Sequence, residues 1–213
     1  MFETNILFTS IACLIIAYMV GMIHGGKVVQ VITGVNLKKE GTGNYGASNA
    51  MLVLGKKYGL IVLLVDIAKA FILLIISKYV LHQYDLSADI YYLYIYLLVI
   101  GLFLGHCFPV YMKFNGGKGT AILLMSIVMI NPLYGFMGVG LFILLAILSN
   151  YLVVGLFVFY LYNLFIAWFV SESILIVGLL SILFIIGVSL HIENLKKIKN
   201  KTEPLFRKSF RKK

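Results

Sequence analysis

Residues able to bind anions or move protons fall into three short stretches of this sequence. The first reads Gly41-Thr42-Gly43-Asn44-Tyr45-Gly46-Ala47-Ser48-Asn49, followed by Leu54-Gly55-Lys56-Lys57. Glycines permit close backbone approach and positive φ, and successive N–H groups in such turns form anion-binding nests. Thr42, Asn44, Ser48 and Asn49 add neutral donors and acceptors. The same residues suit a plain flexible loop in which Ser48 or Asn49 caps a following helix. Residue types alone leave these two readings even.

The second stretch runs Gly105-His106-Cys107-Phe108-Pro109-Val110 and ends in Asn115-Gly116-Gly117-Lys118-Gly119-Thr120. Gly-Gly-Lys-Gly ahead of an apolar helix is suited to a phosphate. The backbone comes close, the helix N-terminus supplies N–H groups and dipole, and Lys118 supplies charge. It is not a Walker loop, since Gly119 separates Lys118 from Thr120. A basic turn beside a membrane is the plain alternative. His106 reads as a structural, hydrogen-bonding histidine at a membrane boundary. The third stretch is His191-Ile192-Glu193-Asn194-Leu195-Lys196-Lys197. On a continuous helix His191 and Asn194 share a face, and a histidine there can act as a base or polarise a phosphate. The run beyond Lys199 reads as a basic tail meeting lipid headgroups.

The elements that carry these stretches are apolar. Hydrophobic residues make up 62% of the 213 and charged residues 12%, against roughly 45–50% and 25% in soluble domains. The mean hydropathy is +1.01. A soluble enzyme, a disordered chain and a disulfide scaffold are excluded, and a polytopic helical membrane protein is indicated. Cys13 and Cys107 lie in or beside apolar runs and read as packing residues. Candidate spans of ~20 residues cover about 5–24, 58–80, 90–108, 151–170 and 174–190, with an apolar stretch at 120–149 broken by Asn131-Pro132. Met1 to Asn5 carries no Lys or Arg, so the first span reads as retained rather than as a signal peptide.

Charge sets the orientation. Sixteen of the 18 Lys and Arg residues lie in segments 25–57, 109–119 and 191–213. The positive-inside rule places those segments in the cytoplasm and the N-terminus outside. The net charge of +10 is then a topology and lipid-surface signal, and no nucleic acid is needed to explain it. Residues 119 and 191 on one side require an even number of spans between them. Breaks at Asn131-Pro132, Ser149-Asn150 and Ser171-Glu172-Ser173 supply four. The expectation is an all-α protein of seven transmembrane helices forming one integral membrane domain over 1–213. Its motif segments are 25–57, 105–120 and 191–203, and its basic tail is 196–213. Segment 120–130 is the weak span, too short for a ~30 Å core. No internal repeat is visible. Asp66 and Lys69 stand at i, i+3 inside the second span, where lone charges are costly. They read as a mutually neutralising pair that fixes packing, with no further ionisable group at depth to extend them into a relay.

Together the three stretches resemble the bacterial acyl-phosphate:glycerol-3-phosphate acyltransferase family. That family's SGNxGATN and LGKK are similar to 42–49 and 54–57, its GHxFPV and GGKG to 105–110 and 116–119, and its HxEN with a trailing TE to 191–194 and Thr202-Glu203. Its DxxKG is similar to 66–70. The resemblance spans nearly the whole chain. It implies transfer of a fatty acyl group from acyl phosphate to the 1-hydroxyl of sn-glycerol 3-phosphate, releasing lysophosphatidic acid and phosphate, with no cofactor and no metal. It implies catalytic roles for Thr42, Lys118, His191 and Asn194, and substrate or phosphate binding by Gly43, Asn44, Ser48, Asn49, Gly116, Gly117 and Gly119. It also implies a bacterial cytoplasmic membrane, a site facing the cytoplasm, and the soluble enzyme that makes acyl phosphate as a partner.

Departures from the pattern are specific. Leu52 stands where the family has an arginine, Thr42 replaces Ser, Ser48 replaces Thr, Ala70 replaces Gly, and Ile192 replaces a common Arg. Arginine holds phosphate through a planar fork that leucine lacks. This raises a second reading, a non-catalytic paralogue that binds phosphorylated lipid precursors. A small anion transporter is a third, and it lacks a polar path beyond Asp66 and Lys69.

Overall fold

The structure is a computed structural model that describes residues 5–207, and among these every regular element is helical. The chain divides into two compact units, Met1–Met129 and Ile130–Lys213. Lys208, Arg211, Lys212 and Lys213 of the expected basic tail lie outside the described residues.

The first unit begins with α1 (Ile6–Gly21) and α2 (Gly25–Thr33), continues with α3 (Ala47–Leu54), α4 (Lys56–Leu81) and α5 (Ala88–Cys107), and adds a 3-10 turn at Val110–Met112 before α6 (Thr120–Ile130). Helix α5 is buried along most of its length. It meets α1 backbone to backbone. A Cβ at Gly101 would stand 2.6 Å from the Leu14 carbonyl oxygen, and one at Gly105 only 2.0 Å from that of Tyr18. Small residues give membrane helices this close approach, which maximises dispersion where no hydrophobic effect acts between helices. Tyr18 Oη donates to Phe108 O at 2.7 Å and ties the end of α5 to α1.

Segment 25–57 is more structured than a linker. Helix α2 stops at Gly34, whose φ of +74° and N–H bond to Gln30 O make a left-handed cap. Val29, Leu37, Tyr45, Ala50, Val62 and Met112 form a buried cluster beneath the loop that follows. The expected capping role of Ser48 or Asn49 is not what the fold uses. Helix α3 already starts at Ala47, with Gly46 before it, so both residues lie in its first turn. Gly55, at φ +90°, separates α3 from α4.

The second unit holds α7 (Pro132–Ser149), α8 (Leu152–Ser171), α9 (Ile174–Leu190) and α10 (Ile192–Lys199). Its breaks have local causes. Asn131 Oδ1 accepts from Tyr134 N at 3.2 Å with Pro132 at the first helical position. Asn150 and Glu172 end α7 and α8 in the left-handed region. Gly155 packs on the Phe142 carbonyl and Gly138 on Tyr162, whose Oη donates to Tyr134 O at 2.8 Å. The described part of the tail has a folded role rather than a purely lipid-facing one. Arg207 donates its guanidinium to Ile147 O and Leu148 O, the carbonyl end of α7, and its N–H to Asn150 Oδ1.

Each of the seven apolar segments is helical. Among the described residues five stretches are long and apolar enough to cross a bilayer: Ile6–Thr33, Lys56–Leu81, Ala88–Met112, Pro132–Ser149 and Leu152–Ser171. The pair α9 and α10, bent by 46°, makes a sixth. Helix α6 has 11 residues, about 16 Å of rise, and falls short of a full crossing.

Candidate functional site

The first glycine turn is built around one side chain. Asn49 is fully buried. The two N–H groups of its Nδ2 are shared among the carbonyls of Leu37 (2.9 Å), Glu40 (3.0 Å) and Asn44 (2.8 Å), and its Oδ1 accepts the Thr42 N–H at 2.6 Å. Asn44 Oδ1 accepts the Gly46 N–H. Gly41 and Gly43 have φ of +59° and +74°, which L side chains seldom adopt. Asn49 thus builds the turn, while Thr42, Gly43 and Asn44 lie half-buried along it and Ser48 is exposed on α3. Leu52 is 58% exposed. One helical turn from Ser48, it shares that exposed face, so an arginine there meets no packed neighbour.

The second turn is closed by backbone. Gly116 N–H donates to Cys107 O at 3.0 Å and Gly117 N–H to His106 O at 3.1 Å. A Cβ at Gly116 would lie 2.0 Å from His106 O, and one at Gly117 would lie 2.2 Å from His106 Nε2. The two glycines therefore let the turn fold back onto the end of α5, and their N–H groups are engaged in doing so. Gly119, at φ +75° against the Phe103 ring, redirects the chain into α6. The first-turn amides of a helix lack intrahelical acceptors, so the donors left for an anion are those at the start of α6, beside Lys118.

Beneath both turns lies a buried charged group, only part of which is visible in the sequence pattern. Lys69 Nζ stands 3.4 Å from Asp66 Oδ1, as the spacing suggested. His106 Nδ1 also lies 3.6 Å from that carboxylate and 2.9 Å from the ammonium, and the His24 ring stacks on His106 with centroids 4.4 Å apart. The expectation of no further ionisable group at depth is corrected by these two histidines. The pair also serves helix ends. Lys69 donates to Gly21 O and Ile23 O at the carbonyl end of α1, and Asp66 accepts the Gly25 N–H that opens α2. Each charge faces the helix dipole end it complements. Ligand atoms of His24, Asp66 and His106 all lie within 4.8 Å of one another, but the Lys69 ammonium is already the cation among them.

In the second unit α9 stops at Leu190, and His191 occupies the bend before α10. The two residues expected to share one continuous helix face therefore straddle a junction. His191 is buried, with Nδ1 2.8 Å from Gly187 O and Phe157 edge-on to its ring. Asn194 Nδ2 donates to Glu203 Oε1 at 2.6 Å, closing the segment between them. Glu193 is exposed and pairs with Lys196.

Fold and motifs together define an integral membrane protein, helical in every regular element of its described residues, with three polar motif segments and a buried charged cluster. The chain belongs to the glycerol-3-phosphate acyltransferase family, whose model matches residues 11–201. It is 35% identical over 204 residues to glycerol-3-phosphate acyltransferase 1 of Oceanobacillus iheyensis, covering 93% of this chain and 96% of that one. The Bacillus subtilis glycerol-3-phosphate acyltransferase is 31% identical over 194 residues, with 90% and 94% covered. The crystal structure of PlsY, an integral membrane glycerol 3-phosphate acyltransferase, in its glycerol 3-phosphate form superposes with a TM-score of 0.79 at 24% identity, covering 92% of this chain and 95% of PlsY. Its lysophosphatidic acid form gives 0.76. At this identity the likeness shows a shared fold.

Proposed function

We propose that this chain transfers a fatty acyl group from acyl phosphate to the 1-hydroxyl of sn-glycerol 3-phosphate. The hydroxyl oxygen bonds to the acyl carbon, the acyl–phosphate C–O bond breaks, and the proton leaves with inorganic phosphate. The observation that carries this reading is the Gly116–Gly119 turn. Glycine contacts fold it tightly onto α5 and place Lys118 at the opening of α6, in a chain of this family. Both substrates are phosphates, and an acyl phosphate is already activated. The protein has chiefly to align the hydroxyl with the carbonyl and to steady charge on the oxygens.

In this reading Lys118 and the α6 N-terminus hold a phosphate, with Gly119 shaping their approach. Thr42 hydroxyl and the Gly43-Asn44 backbone contact substrate on a turn that Asn49 keeps in shape. His191 and Asn194 polarise or bind substrate oxygens in their own unit. The chain crosses the bilayer seven times with its N-terminus outside. Helices α6 to α9 supply the even number of crossings that the basic segments require, with residues on either side of the 11-residue α6 completing its crossing. The motif segments then face the cytoplasm, where a soluble enzyme delivers acyl phosphate, and the membrane is the bacterial cytoplasmic one.

Purified protein in lipid vesicles, given palmitoyl phosphate and glycerol 3-phosphate, is expected to form lysophosphatidic acid and phosphate in equal amounts. Absence of both products overturns the reading. Leu52 supports the second reading, a paralogue that binds phosphorylated precursors without turnover, because its exposed face offers no charge where the family has arginine. Glycerol 3-phosphate binding without product would favour it.

A further inference from the structure

Lys69 has three N–H groups and no acceptor, and four acceptors surround it: Gly21 O at 2.8 Å, Ile23 O, His106 Nδ1 at 2.9 Å and, farthest, Asp66 Oδ1 at 3.4 Å. With the Asp66 carboxylate beside it, the ammonium donates to the imidazole. Nδ1 then carries no proton, and the ring proton lies on Nε2, since the bond at one ring nitrogen fixes the state of the other. His106 is 3% exposed. Its Nε2 edge faces Gly117. The same residue's carbonyl accepts the Gly117 N–H. His106 therefore holds the second glycine turn by its ring and by its backbone.

The contact extends to the first turn. His24 is sandwiched between His106 and Tyr45, stacked on one at 4.4 Å and edge-on to the other at 5.7 Å. Tyr45 lies between Asn44 and Gly46, and its backbone packs on Gly26 of α2. A chain of direct contacts thus runs from the Asp66–Lys69 pair through His106 to Gly117, and through His24 to Tyr45. A pair that only neutralised itself would not need its third N–H aimed at this ring.

We propose that Lys69 is a positioning residue for the Gly116–Gly119 turn, holding His106 as its Nε2–H tautomer and thereby setting the turn that receives a substrate phosphate. The inference rests on the phosphate-binding reading of that turn. Lys69 itself touches no substrate.

The test has two readouts. Nitrogen-15 NMR of histidine-labelled protein in bilayers, with His106 assigned by its loss in His106→Gln, is expected to show an unprotonated Nδ1 in the wild type. A proton on Nδ1 overturns the proposal without reference to activity. Kinetics of Lys69→Met are expected to show at least about a tenfold rise in KM for glycerol 3-phosphate with kcat within about threefold, as for a site displaced by a fraction of an ångström. A purely structural role would instead lower kcat with the active fraction and leave KM unchanged, which also overturns it. Should Lys69→Met not fold, Asp66→Leu/Lys69→Met removes both charges together, a change that buried pairs often tolerate, and the same KM rise is expected. A wild type that fails to acylate glycerol 3-phosphate sinks the reaction and leaves the tautomer result standing. An active wild type whose KM the variants share sinks the positioning role alone.

Discussion

The two glycine turns look alike in sequence and are held in different ways. The first is stapled by one buried amide, Asn49, which bonds to four backbone groups of the loop. The second is folded back on α5 by its own N–H groups, with glycine hydrogens where any side chain would strike His106. A turn made by a side chain fails when that side chain is lost. A turn made by backbone contact fails when a side chain is gained.

The largest expected effect is therefore Asn49→Ala. It leaves several buried backbone groups unpaired at about 1–3 kcal/mol each. Activity should fall by more than about 100-fold, with a lower thermal midpoint in a detergent melt. Near wild-type activity would break the comparison. Gly117→Ala comes next. Its Cβ would sit 2.2 Å from His106 Nε2, and over-packing of this kind costs about 1–3 kcal/mol. KM for glycerol 3-phosphate should rise about 10- to 100-fold in steady-state kinetics. Gly43→Ala sharpens the contrast, because its nearest neighbour would be 3.5 Å away and only the φ of +74° opposes it. A left-handed alanine costs about 1–2 kcal/mol, so the same assay should show no more than about a 30-fold loss, less than for Gly117→Ala. Smallest is Leu52→Arg, placed on an exposed face. Stability should stay within about 0.5 kcal/mol, and KM should fall by a few-fold if the added guanidinium reaches a substrate phosphate.

Much of the fold was legible because apolar runs of span length have no soluble alternative, and because Asn131-Pro132 and Ser173 are local helix-start signals whose effect needs no tertiary context. The short helices α2 and α3 were not legible. Eight or nine residues of mixed polarity carry little periodic signal, and their stability comes from packing on Val62 and Met112. The three motif stretches stood out by residue type. Their division of labour did not. Nothing in the sequence says that the Gly116 and Gly117 amides are used within the fold, or that Asn49 faces inward. The convergence of His24 and His106 on Asp66 and Lys69 joins residues up to 82 positions apart, and only helix packing brings them together. Arg207, assigned by charge to the lipid surface, instead finds the unsatisfied carbonyls at the end of α7, which no charge count reveals.

The claim that the second turn receives a substrate phosphate is tested most directly by titration calorimetry of glycerol 3-phosphate into the wild type and into Lys118→Ala. Saturable binding to the wild type, weakened at least about tenfold by loss of a charged contact, is the expected result. Equal affinity in the two proteins would place the phosphate elsewhere and contradict the account.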